Sequence, residues 1–179
     1  WGVLTGIRPV KLVRELREQG MDYREIAGRF TGRYLTTPQK AALCIRTDEV
    51  QQQAIRRSDP KGYSLYISIP FCPSRCSYCS FVSHSIEKTK RLIPAYLEKL
   101  KEELRYTAAI AAEKGLVLQT IYMGGGTPTV LTAEQLRDLL QTVNSAFDRS
   151  RCMEFTVEAG RPDTICRDKL QALVEGGVD

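Results

Sequence analysis

The sequence predicts an α/β protein in which a small helical region, residues 1–60, precedes part of a parallel β/α sheet, residues 61–179. Three observations predict it. After residue 60, short apolar β-like runs alternate with amphipathic segments of ten or more residues, the rhythm of βαβ units on a parallel sheet. Before residue 60 the apolar residues keep a helical period. Between the two, Ser58-Asp-Pro-Lys-Gly62 has the composition of a linker.

In the helical region the spacing predicts helices over residues 9–19, 22–30 and 37–55. Pro9 and Pro38 suit first turns, where a missing N–H is no loss, and Thr37 suits a cap. Residues 21–30 could pass for half of a helix-turn-helix, but no second well-formed recognition helix follows. A packed helical subdomain is the better reading. Past the linker, a strand over residues 63–70 leads to a long amphipathic helix over 92–114. A second strand, 118–123, runs into Gly124-Gly-Gly-Thr-Pro128. The next helix, 132–147, opens at Thr132 with Glu134 and Gln135 in its first turn. A third strand over 154–158 and a third helix over 166–175 complete three units, with right-handed crossovers expected. Three units do not close. A parallel barrel and an open doubly wound sheet both need more chain beyond Asp179. The start at Trp1 without a methionine, and an ending that reads as a helix stop before a new element, predict a piece of a longer protein.

Composition sets outer limits. A hydrophobic content of 42% with 26% charged residues is ordinary for a globular protein, and no apolar run reaches membrane-span length. The six cysteines are unevenly spaced, which argues against a secreted disulfide scaffold and for a reducing cytoplasm. The net charge of +5 sits mainly in the first 60 residues, with eleven Lys or Arg against seven Asp or Glu. An excess of that size forms a solvated face; neither a membrane nor a nucleic acid is expected as partner.

The chemistry gathers at strand ends. Cys72, Cys76 and Cys79 stand as Cys-x3-Cys-x2-Cys, half of the cysteines within eight residues, directly after the first strand. Three thiolates so close suit one soft metal centre. Tetrahedral zinc would want a fourth ligand, for which His84 is near enough in sequence. A four-iron cluster held by three cysteines instead leaves one iron open. Ligands of parallel α/β sheets bind at the carboxyl ends of the strands. There the cysteine loop follows strand one, Gly124–Thr127 follows strand two, and Glu158 closes strand three, so all three converge on one rim. Glycines there make either a tight turn or a place where backbone approaches a ligand. The segment lacks a P-loop lysine and dinucleotide spacing, which argues against phosphate cradling. Glu158 can accept hydrogen bonds from an ammonium or a ribose hydroxyl. Tyr66 and Tyr78 read as core or rim aromatics, and Cys44, Cys152 and Cys166 as small buried residues.

Cys72, Cys76, Tyr78 and Cys79 together make Cys-x3-Cys-x-aromatic-Cys, and in this the chain resembles the radical S-adenosylmethionine enzymes. Within that superfamily Tyr66-Ile-Ser-Ile-Pro-Phe-Cys72, Gly124-Gly-Gly-Thr-Pro-Thr129 and Val157-Glu-Ala-Gly-Arg-Pro162 resemble the oxygen-independent coproporphyrinogen III oxidases (coproporphyrinogen dehydrogenases). The opening Leu4-Thr-Gly-Ile-Arg-Pro9 resembles a variant branch with an extra amino-terminal region. The resemblance covers residues 63–179 and implies a partial, truncated parallel β/α barrel of the radical SAM type. It implies that Cys72, Cys76 and Cys79 ligate a [4Fe-4S] cluster. By the same resemblance Tyr66 lies beside S-adenosyl-L-methionine, Gly125, Gly126 and Thr127 meet its methionine end, and Glu158 hydrogen-bonds it. The implied reaction belongs to haem biosynthesis. S-adenosylmethionine chelates the open iron, one electron cleaves its sulfonium, and the 5′-deoxyadenosyl radical takes a hydrogen from a propionate of coproporphyrinogen III, with decarboxylation to a vinyl group. A porphyrinogen-type substrate and an electron donor are the implied partners.

Two positions depart from that family's pattern. Members proven in the reaction usually have His where Ser68 stands and Cys where Phe81 stands. A Cys-aromatic-Cys-x-Phe pattern also belongs to relatives resembling haem-binding chaperones. A haem chaperone is therefore the first alternative, a radical enzyme acting on tRNA the second, and a zinc-stabilised α/β domain the third.

Overall fold

The computed structural model describes residues 2–4, 6, 8–81 and 83–179. They fall into two compact units, Trp1–Ser58 and Asp59–Asp179. Of the opening segment 4–9, Thr5 and Ile7 lie outside the described residues.

The first unit is three helices: α1 (Pro9–Glu18), α2 (Tyr23–Gly32) and α3 (Pro38–Arg57). Proline begins α1 and α3, as the sequence predicts, and the Thr37 hydroxyl accepts the Lys40 N–H. Asp22 and Glu25 close a capping box on α2, each side chain 2.8 Å from the other residue's N–H. Val13, Leu16, Ile26, Phe30, Ala41 and Cys44 form its core. Asp48 is fully buried beneath them and accepts hydrogen bonds from Arg17 Nη1 (3.0 Å) and Tyr23 Oη (3.1 Å), which compensates its lost hydration.

The second unit is built on three parallel strands, β1 (Gly62–Ile69), β4 (Val117–Gly125) and β5 (Glu154–Val157), in the order β1-β4-β5. Helices α5 (Ile93–Glu113) and α6 (Ala133–Ala146) connect them, and α7 (Arg167–Glu175) follows β5. Between β1 and α5 lie two-residue strands β2 (Phe71–Cys72) and β3 (His84–Ser85), paired in parallel, and a single-turn helix α4 (Ile86–Thr89). These short pieces were not expected, because two residues carry no readable period.

One face of the sheet makes the core. Leu65, Ile67 and Ile69 alternate inward from β1, joined by Ile121, Met123 and Phe155. They meet Leu97, Leu100 and Leu104 of α5, Leu136, Leu139, Leu140 and Val143 of α6, and Ala172 and Leu173 of α7. Lys101 is mostly buried between α5 and α6, its ammonium 2.7 Å from both Asp138 and Glu98. The opposite face carries Ser64, Tyr66, Ser68, Thr120, Tyr122 and Thr156, all exposed or half-buried. A doubly wound sheet covers both faces with helices, whereas a barrel turns one face toward its own interior. All three helices lie on one face here, so the unit is the wall of a partial parallel barrel. At the register shift between Tyr63 and Ser64, Ser64 pairs with Thr120 and Gln119 is the extra residue. Its side chain turns back to accept the Asp59 N–H at 3.0 Å.

Two expectations need correction. Cys44 is buried, but Cys152 is only half-buried and Cys166 is exposed. Cys166 occupies the N-cap of α7, ahead of the helix's buried Ala172 and Leu173. The second strand extends two residues beyond Met123, because Gly124 and Gly125 pair with Ser68 and Ile69 of β1.

Candidate functional site

The register brings the three strand-end segments together. Ile69 of β1 pairs with Gly125 of β4, and Met123 pairs with Val157 of β5, so the strands end nearly level. Past those ends the hydrogen bonds continue. Gly126 N–H donates to Ile69 O (2.8 Å), Thr127 N–H to Phe71 O (2.8 Å), and Glu158 N–H to Met123 O (2.9 Å).

Cys72 is buried where the cysteine loop leaves the sheet, and the Thr127 hydroxyl lies 3.5 Å from its Sγ. Cys76 and Cys79 are half-buried in a turn closed by the Cys79 N–H to Cys76 O bond (3.1 Å). None of the six thiols is in a disulfide. The loop returns through β3, where His84 N–H donates to Pro70 O (2.8 Å) and Ser85 Oγ reaches Pro73 O (3.4 Å). Tyr78 and Phe81 stand exposed on the loop. Among the described residues no three His, Cys, Asp or Glu side chains are gathered at metal-holding distances, His84 included. The cysteines are thus brought to one loop without being pre-assembled round a point.

On the open face of the sheet, Tyr66 and Tyr122 stack with ring centroids 5.9 Å apart and planes 10° from parallel. The Tyr122 hydroxyl donates to Glu158 Oε1 at 2.5 Å. That hydrogen bond, with partial burial and the carboxylate charge, raises the Tyr122 pKa above the ordinary tyrosine value. The sequence reading named Tyr66 and Glu158 and missed Tyr122, which joins them. Its signal was present: Thr120, Tyr122 and Gly124 alternate outward as Ser64, Tyr66 and Ser68 do. The reading also missed Arg161, whose Nη1 lies 2.8 Å from Ser74 Oγ inside the cysteine loop.

The glycines have an internal reason. A Cβ on Gly124 would lie 2.8 Å from the Tyr122 ring and 3.0 Å from the Glu158 carboxyl. One on Gly126 would lie 2.6 Å from Phe71 O, 2.8 Å from Ile69 O and 2.9 Å from Phe71 N, all backbone atoms unable to swing aside. The Gly126→Ala variant is therefore expected to lose about 1–3 kcal/mol, the usual range for overpacking. Thermal unfolding of that variant checks this; an unchanged Tm would contradict the close approach. The amides of Gly126 and Thr127 are taken by carbonyls at the root of the cysteine loop.

The family model described as the Radical SAM superfamily matches residues 66–179. The oxygen-independent coproporphyrinogen-III oxidase-like protein HemZ of Bacillus subtilis (strain 168) is 38% identical over the whole chain, which covers 36% of that relative. The heme chaperone HemW of the same organism is 40% identical, over 65% of this chain and 30% of the relative. The chain thus spans about a third of the length of these curated relatives. Among solved structures, coproporphyrinogen III oxidase (HemN) from Escherichia coli, a radical SAM enzyme, superposes with a TM-score of 0.57 at 28% identity, over 74% of this chain and 29% of that one. With its barrel wall, its cysteine loop and the family match over most of its length, the chain belongs to the radical SAM superfamily.

Proposed function

We propose that the protein is a radical S-adenosylmethionine oxidoreductase of haem biosynthesis that decarboxylates porphyrinogen propionates oxidatively, in the manner of an oxygen-independent coproporphyrinogen III oxidase. The observation that carries the proposal is the shared rim, where Cys72, Thr127 and Glu158 follow three strands that end nearly level. The donor set fits an iron-sulfur cluster, since three free, soft thiols lie within eight residues.

In this reading Cys72, Cys76 and Cys79 hold a [4Fe-4S] cluster, and Tyr66, Gly125, Gly126, Thr127 and Glu158 hold S-adenosyl-L-methionine. When bound, the pair supplies the electron and the sulfonium whose cleavage starts hydrogen abstraction. The protein's own residues position it. Tyr122 orients the Glu158 carboxylate, which accepts hydrogen bonds from an ammonium or ribose hydroxyls. The Thr127 hydroxyl, aimed at Cys72 Sγ, is placed to stabilise the thiolate. A porphyrinogen substrate and an electron donor are the partners required. Six unpaired thiols support a reducing compartment, the cytoplasm, and no described helix is long and apolar enough to cross a membrane.

A haem chaperone is the second reading, favoured by Ser68, by the exposed Phe81 and by the likeness to the heme chaperone HemW. Anaerobic iron-sulfur reconstitution of the intact protein separates the two. The expected result is a [4Fe-4S] electron paramagnetic resonance signal that shifts on adding S-adenosylmethionine, with turnover of coproporphyrinogen III. Stoichiometric haem binding without turnover would select the chaperone. No cluster in the intact protein would sink the radical reading and leave Cys72, Cys76 and Cys79 to zinc.

A further inference from the structure

The segment after β5 does more than carry Glu158. Three residues on, Arg161 extends its guanidinium to the cysteine loop, 87 positions away in sequence, with Nη1 2.8 Å from Ser74 Oγ. Ser74 stands between Cys72 and Cys76. The rest of the guanidinium is locked by Asp163 in a bidentate pair, Nε to Oδ1 at 2.9 Å and Nη2 to Oδ2 at 2.9 Å. A guanidinium held by a planar fork has one remaining edge, and its direction is set by the fork. The arm sits on a short helical turn, Pro162–Thr164, anchored beneath. The Thr164 hydroxyl bonds Arg161 O (2.8 Å) and the buried Thr129 hydroxyl (2.6 Å). Lys169 Nζ donates to Thr129 O and Thr164 O at 2.7 and 2.9 Å. This is a braced arm ending at the middle of the cysteine loop, between Cys72 and Cys76.

We propose that Arg161 is a positioning residue for the metal-binding loop, tying Ser74, and with it the backbone between Cys72 and Cys76, to the carboxyl end of β5. Ser74 stands between the two cysteines, so the guanidinium bonded to it also brings a positive charge to the loop that carries their sulfurs. Restricting the loop before metal arrives lowers the ordering cost of binding. A positive charge near an iron-sulfur cluster also favours its more negative, reduced form. Asp163 offsets part of that charge, so the positional effect is the larger one. The proposal rests on the cluster reading above.

The test uses the intact protein, reconstituted anaerobically, with far-ultraviolet circular dichroism to confirm folding. Two readouts are taken: the rate of cluster bleaching under EDTA, and the midpoint potential from dithionite titration followed by electron paramagnetic resonance. Arg161→Met is expected to bleach severalfold faster than wild type and to show a lower midpoint. Arg161→Lys, which keeps the charge and loses the fork, should bleach faster with its midpoint nearly unchanged. Ser74→Ala, which keeps the guanidinium and removes its acceptor, should behave like Arg161→Lys. Wild-type bleaching and midpoint in Arg161→Met and Ser74→Ala would overturn the proposal while leaving the cluster assignment intact. Failure of the wild type to take up a cluster would overturn the assignment, and this proposal with it.

Discussion

Cys76→Ala is expected to lose its iron-sulfur cluster entirely. After reconstitution of the intact protein, iron should fall from about four atoms per chain to background, and the reduced-state resonance signal should vanish. The reason lies in the ligand count. With three thiolates on one loop and His84 not gathered beside them, removal of one leaves two ligands for a cluster that needs three. Cys76 is the sharpest test of the trio, because it is half-buried and bears no packing load comparable to that of buried Cys72. Cys166→Ala serves as the control. That thiol is exposed at the start of α7, outside the loop, and its loss should leave iron content unchanged. Full iron retention in Cys76→Ala would remove the basis of the radical SAM chemistry proposed here.

Phe155→Ala is expected to destabilise the barrel wall by about 3–5 kcal/mol, the usual cost of deleting a buried aromatic. Phe155 is fully buried on β5, an outer strand of the sheet only four residues long. The Arg149 guanidinium lies 4.9 Å from its ring centroid, and Asp179 brackets its backbone, accepting its N–H at 2.7 Å and donating to its carbonyl at 3.0 Å. Phe155 is the one fully buried side chain of that strand. Because total stability of a domain is about 5–15 kcal/mol, the loss is a large share of it. With a urea m-value near 2 kcal/mol/M, the unfolding midpoint should move by about 2 M. A shift below about 0.5 M would mean that β5 is held mainly by its backbone pairing. The same variant should loosen Glu158, which follows β5 and is tied to the sheet by its N–H to Met123 O.

Much of this architecture was legible in the chain because its signals are local. The strands and helices announce themselves through periods of two and 3.6, and Pro9, Pro38, Thr37 and Thr132 mark helix starts where the structure has them. The cysteine spacing is covalent and needs no fold to be read. The helical ends moved by one or two residues, and β4 ran on into glycines that propensity alone would not pair. Cys166 could not be recognised as exposed, since burial of a single residue depends on what packs against it.

By itself the sequence determined that the cysteine loop, the glycine segment and Glu158 each follow a strand, because hydrophobic period and residue spacing are properties of neighbours along the chain. Only the tertiary structure decided the rest. It put all three helices on one face, favouring a barrel over a doubly wound sheet. It showed that Gly126 is small to admit the backbone of Phe71, and it joined Tyr122 to Glu158 and Arg161 to Ser74. Those contacts span 36 and 87 residues. They depend on strand register and on where a loop returns, which distant pairings across the sheet set and which no local pattern encodes.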